Sequence, residues 1–258
     1  MKHFFCLVIV IPFLAINATA QTIKSNPNKA VQNNAWIMYF GQHTLAEKWK
    51  LHTEYQWRRS EYFNYWQQSL LRLGAEYAIN PILSGTLGYG WINTYPYGEQ
   101  PIPGETGEHR AWQQIVLNSK IGRLSIQHRY RLEQRWIERL ASAPNGSIVN
   151  DGFNYSNRVR YRLIVNMPLN KPSISKGATF ISIYDEPFVS WGGAIQNNHL
   201  DQNRFYAALG YQYSPDGNIQ LGYLNQVLIK TGGISREVNH TLQIAFTHHL
   251  DLRPRHLM

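Results

Sequence analysis

Residues 123–136 read RLSIQHRYRLEQRW. Leu124, Ile126, His128, Tyr130, Leu132 and Trp136 fall on one face of an extended strand, because side chains alternate with a period of two. The other face carries Ser125, Gln127, Arg129, Arg131, Glu133 and Arg135. A face this polar, opposite one this aromatic and aliphatic, is hard to bury in a soluble core. It suits a closed barrel with lipid outside and water inside.

The same alternation recurs on both sides of this stretch. Residues 47–58 set Trp49, Leu51, Tyr55 and Trp57 against Lys50, His52, Glu54, Gln56 and Arg58. Residues 65–79 set Leu71, Leu73, Ala75, Tyr77 and Ile79 against Gln68, Arg72, Gly74 and Glu76, and Asn80-Pro81 then marks a tight turn. In 153–166, Tyr155, Val159, Tyr161, Leu163 and Val165 oppose Arg158, Arg160, Arg162 and Asn166. Further strands are expected at 35–43, 82–93, 108–120, 178–190, 203–213, 218–230 and 237–250. Gly85, Gly88 and Gly90 inside 82–93 are read as points of wall curvature. The Pro- and Gly-rich 94–107 and the segment 138–152 are expected to be long connections.

These segments number eleven, against the even count usual for single-chain bacterial barrels. One assignment is therefore expected to fail. Either 35–43 belongs to a plug or to the first hairpin, or a further strand lies near 21–34 or 190–202. The expectation is an all-β, up-and-down antiparallel transmembrane barrel of ten to twelve strands, occupying 35–252 as one domain. Long and short connections tend to alternate, as outer loops and periplasmic turns do. The 16 tyrosines and 8 tryptophans supply two interfacial girdles, with Trp49, Trp57, Trp91, Trp136, Tyr95 and Tyr155 near strand ends.

Residues 1–20, MKHFFCLVIVIPFLAINATA, have a basic start, a short apolar run and an A-x-A end. That order is a cleavable signal peptide, followed by a polar segment at 21–34. The run is too short for a retained membrane helix. The single cysteine, Cys6, lies inside it, so the exported chain has no disulfide. The mean hydropathy of −0.38 argues against a helical membrane protein but not against a barrel. The net charge of +9 comes from arginines set singly on strand faces, not from a basic tail. That arrangement disfavours nucleic acid as a partner and favours membrane lipid and small anions.

In an up-and-down barrel, Arg129, Arg131, Glu133 and Arg135 would adjoin Arg158, Arg160 and Arg162. Glu54, Arg72, Glu76 and Arg204 would point into the same lumen. Arginine pairs bidentately with carboxylates and phosphates. The set is therefore either an Arg/Glu network that holds a filled lumen together or the lining of an anion-attracting pore. No G-x-S-x-G elbow, phosphate-binding loop or H-E-x-x-H is present. His248-His249 cannot share a metal on a strand, since neighbours face opposite ways. No cofactor is implied. The principal reading is non-enzymatic. The alternatives are a lipid-directed hydrolase at the barrel wall, drawing on Ser69, Ser125 or Ser156 with a histidine such as His240, or a soluble secreted ligand-binding barrel.

The chain resembles an uncharacterised family of exported barrels, domain of unknown function 2490. The landmarks are QHRYRLEQRW at 127–136, NRVRYRL at 157–163, Asp185-Glu186 after ISIY, LDQNRFYAALGY at 200–211, IQLGYLNQ at 219–226 and NHTLQIAF at 239–246. The resemblance implies a barrel in the outer membrane of a Gram-negative bacterium. It carries over no catalytic residue. Glu133, Arg135, Arg160 and Arg204 match polar positions of its R-x-R-Y-R and N-R-x-x-x-x-x-G-Y patterns.

Overall fold

A computed structural model describes residues 29–98, 102–193, 195, 198–230, 233 and 235–253. The expected signal peptide and most of the segment after it lie outside these residues. Eleven strands close into one barrel. They are β1 (Lys29–Thr44), β2 (Trp49–Ser60), β3 (Tyr65–Asn80), β4 (Leu83–Thr94), β5 (Thr106–Ile121), β6 (Leu124–Ser142), β7 (Ile148–Pro168), β8 (Thr179–Trp191), β9 (Leu200–Ser214), β10 (Gly217–Ile229) and β11 (Arg236–His248).

Each strand pairs antiparallel with its sequence neighbours, and β1 then pairs parallel with β11, from Lys29↔Arg236 to Gly41↔His248. That seam corrects two expectations. The ladder is not antiparallel throughout, and no assignment has to fail. With strands running alternately up and down, an odd number brings the first and last together in the same direction. The first strand also starts at Lys29, ahead of the expected boundary at 35.

The connections 45–48, 81–82, 122–123, 169–178 and 215–216 share one rim, here the turn rim. Those at 61–64, 95–105, 143–147, 192–199 and 230–235 share the other, the loop rim. The alternation of lengths is imperfect, since 61–64 is tight. Glu61 and Tyr62 take positive φ of 45° and 62° there, and the Arg59 guanidinium donates to the carbonyls of Phe63 (3.0 Å) and Asn64 (3.2 Å). Most of 138–152 is not a loop. β6 and β7 continue as a paired hairpin to Ser142↔Ile148. At the turn rim, Asn80 Oδ1 accepts the backbone N–H groups of Ile82 and Leu83, fixing the turn read from Asn80-Pro81.

The two surfaces of the sheet are inverted relative to a water-soluble core. Leu71, Leu87, Tyr89, Ile115, Tyr130, Leu209 and Leu221 are exposed on the outer face, while Glu54, Arg72, Arg131, Glu133, Arg160 and Glu186 are buried inside. Aromatic rings meet on that outer face near both rims, as in Trp49–Tyr77, Trp57–Trp66, Trp66–Tyr95 and Trp136–Tyr155. One sector of the interior is apolar. Trp36, Met38, Tyr184, Tyr206, Leu224 and Ala245 pack together, with Phe40 and Ile164 against them. In β1 the apolar face therefore turns inward, the reverse of β2 to β7.

Candidate functional site

Across β6 and β7 the register sets Arg129 opposite Arg162, Arg131 opposite Arg160 and Glu133 opposite Arg158. Like charges placed directly opposite repel. Compensation comes from Glu133 itself and from carboxylates on other strands. Glu133, wholly buried, receives Arg158 at 2.6 Å, Arg160 at 2.9 Å, Arg72 of β3 at 3.3 Å and Arg110 of β5 at 3.7 Å. Arg72 also holds Glu54 of β2 at 2.6 Å. On the far side, Glu186 of β8 binds Arg160 at 2.8 Å and Arg129. A chain of alternating charges thus crosses the lumen from β2 to β8. A buried carboxylate is tolerated when several charge-assisted hydrogen bonds satisfy it, and Glu133 meets that condition.

Aromatic rings seat the guanidinia. Trp112 lies against the wall at Gly74 and Gly88, where an added Cβ would come within 2.9 Å and 2.4 Å of the indole. Arg131 covers the ring at 4.6 Å and His52 meets it edge-on. Trp36 carries Arg58 at 4.0 Å and Arg204 at 5.3 Å from its centroid, and Phe188 lies beneath Arg158, Arg160 and Arg204. Such stacking gives cations a partner that does not cancel their charge.

The belt separates two cavities. One, of about 300 Å³, lies toward the loop rim and is lined by Arg58, Arg72, Arg110, Arg135, Arg158, Arg160 and Arg204 with Glu108 and Asp201. Tyr97, from the β4–β5 connection, also lines it and donates its hydroxyl to Glu237 Oε1 of β11 at 3.0 Å. The other, of about 290 Å³, lies toward the turn rim. Arg160 and Arg204 line both.

The residues expected in the lumen network, Glu54, Arg72, Glu76, Arg129, Arg131, Glu133, Arg135, Arg158, Arg160, Arg162 and Arg204, lie on the inward face. They do not form one cluster. Glu76 stands apart, held by Gln42 at 2.9 Å and Lys50 at 3.8 Å. Arg135 joins the belt only indirectly, through Glu108 and Arg110, whose Nη1 lies 3.7 Å from Glu133. Arg162 donates to Gln127 at 3.0 Å. Sequence reading passed over Glu108, Arg110 and Glu186 as partners, and Trp36 and Trp112 as platforms. The alternation Glu108-x-Arg110 was the available signal, masked because Trp112 continues the same face.

The hydrolase candidates are dispersed. Ser69 points outward and bonds the Tyr55 hydroxyl at 3.4 Å, and Ser156 is buried inside. Among the described residues no serine hydroxyl bonds a histidine. Thr53 Oγ1 does, to His43 Nε2 at 3.1 Å, yet His43 Nδ1 has no hydrogen-bond partner to orient the ring. Outward histidines pair instead with tyrosine hydroxyls, as in His128–Tyr161 at 2.8 Å and His240–Tyr223 at 2.5 Å. Of His240, His248 and His249, only His249, just beyond β11, is among the residues lining the turn-rim cavity. No group of three metal-ligating side chains occurs among the described residues.

No curated protein and no solved structure matches this chain. Residues 33–237, which reach from β1 to the start of β11, match the sequence model of the family described as Protein of unknown function (DUF2490), and with that span covering most of its length the chain belongs to this family.

Proposed function

We propose that the protein is an outer-membrane β-barrel of a Gram-negative bacterium, exported by a signal peptide at 1–20 and non-enzymatic. Its lumen is closed at mid-height by the belt around Glu133, and its end chambers attract small anions. The observation that carries this reading is the inverted surface. Leu87 is 67 % exposed and Ile115 52 % on the outer face, while Glu133 is 0 % and Glu186 2 % exposed inside. Water-soluble monomers rarely expose apolar patches beyond a few hundred Å², whereas lipid accepts such a face. Closure supports the same placement, because lipid cannot satisfy the free backbone groups of an open sheet edge.

Anion attraction is supported by incomplete pairing. Arg58, Arg162 and Arg204 have no carboxylate within 4.0 Å among the described residues, and Arg131 has one only at 3.9 Å.

The test is to refold the purified chain and record its mobility with and without boiling, its need for detergent, and its conductance in a planar bilayer. Heat-modifiable mobility, detergent dependence and an electrically silent bilayer are expected. A folded monomer stable without detergent would overturn the membrane placement. Steady conductance of the wild type would overturn the closed lumen.

A further inference from the structure

We infer that the turn-rim cavity is a binding site for a small organic carboxylate with an apolar body. The proposal goes beyond the membrane placement and rests on the barrel interior alone. The cavity, about 290 Å³, has two unlike walls.

One wall is cationic. Arg129, Arg131 and Arg162 line it beside Glu54 and Glu186, and each guanidinium keeps a buried N–H that makes no hydrogen bond. Arg131 donates Nε and Nη2 to the single oxygen Gln114 Oε1, at 3.0 and 2.7 Å, and its Nη1 makes no hydrogen bond, the nearest carboxylate being Glu54 at 3.9 Å. Arg162 donates Nη2 to Gln127, and its Nε makes none. Arg129 binds Glu186 through Nη2, and its Nε makes none. Arg131 is 2 % exposed and Arg129 7 %. Gln114 and Gln127 satisfy donors of Arg131 and Arg162 without neutralising them, while Glu186 neutralises Arg129, so the demand for an anion rests on Arg131 and Arg162. A guanidinium fork matches a carboxylate bidentately.

The facing wall is apolar. Met38 and Phe40 of β1 and Tyr206 of β9 line it, and Tyr184 of β8, stacked on Tyr206 with centroids 4.8 Å apart, joins it to the cationic wall, where Arg162 lies over its ring. A fully hydrated inorganic anion would lose water against that wall without recompense. An aryl or short alkyl carboxylate would place its charge on the arginines and its body on the rings. The volume lies at the small end of ligand cavities, about 300–1,000 Å³, which excludes long chains. Asn218, Thr247 and His249 line the same cavity on the turn-rim side, the direction of entry.

The experiment follows the thermal unfolding midpoint of the refolded, heat-modifiable barrel with benzoate, benzamide or inorganic phosphate added. A ligand that binds only the folded state raises the midpoint saturably. Benzoate should do so, while benzamide and phosphate should not. Arg162→Gln should weaken the benzoate effect about tenfold, as expected for one charge-assisted hydrogen bond. Arg58→Gln, in the other cavity, should leave it unchanged. Should Arg162→Gln fail to fold, Phe40→Ser tests the opposite wall and should weaken benzoate but not create a response to phosphate. No shift with benzoate would overturn the site, as would an equal shift with phosphate or benzamide. Those results would leave the membrane placement standing. A barrel folded without detergent would remove the placement and leave the site to be tested in buffer.

Discussion

The guanidinium of Arg131 lies over the indole of Trp112, 4.6 Å from the ring centroid, and the ring has room only because Gly74 and Gly88 carry no side chain beneath it. Gly88 is the tighter position, since a Cβ there would fall 2.4 Å from both the indole and the Leu73 carbonyl. Gly88→Ala should therefore overpack the wall and cost about 1–3 kcal/mol. Denaturant titration followed by loss of heat-modifiable mobility measures this. Gly85→Ala, where the added Cβ meets only Ile79 at 3.9 Å, should be within about 0.5 kcal/mol of the wild type.

Glu133→Gln keeps the shape of the belt and removes the charge that four arginines share. Breaking a buried ion pair from one side costs about 3–5 kcal/mol, and a loss of that order is expected by the same titration. Glu76→Gln, whose partners are Gln42 and the partly exposed Lys50, should cost less than half as much.

Arg160 lines both cavities and bridges Glu133 to Glu186, so its side chain is part of the partition between them. Arg160→Ala combined with Arg131→Ala should join the chambers and give small, anion-selective steps in a planar bilayer where the wild type is silent. The selectivity follows from the arginines that remain. A silent double variant that retains heat-modifiable mobility would show that other side chains complete the seal.

On the outer wall, Tyr161→Phe would leave the His128 Nδ1 without its partner at 2.8 Å. An unsatisfied polar group on an apolar face costs about 1–3 kcal/mol. Adding His128→Phe should restore most of that loss, because both partners are then apolar. Thermal midpoints of the single and double variants decide the point.

Much of this architecture was legible because a barrel wall writes its two faces at alternate positions. In 123–136 every second residue was assigned to the face it occupies, and the ten strands from Trp49 onward appear where the alternation places them. Strand β1 shows the limit. Trp36, Met38 and Phe40 are as apolar as any outward set, yet they fill the lumen, because the interior opposite the arginines is itself lined by Tyr184, Tyr206 and Leu224. Alternation identifies two faces but does not say which is inside. The polar set was legible as a set, while its pairing was not. Which carboxylate meets which arginine across the lumen depends on barrel closure, which brings Glu54 and Glu186, distant in sequence, to opposite sides of one belt.

The parallel seam between β1 and β11 has a further consequence for how such a chain can be built or rebuilt. A barrel made only of hairpins can be cut at any turn and its old ends joined by a short linker, because those ends share a rim. Here the first residue of β1 and the last of β11 lie at opposite rims, so a circular permutant would need a linker running the height of the wall. Repeated copying of a two-stranded unit likewise yields only even totals. Eleven strands thus leave one that no hairpin duplication accounts for, and the sheet closes where β1 meets β11.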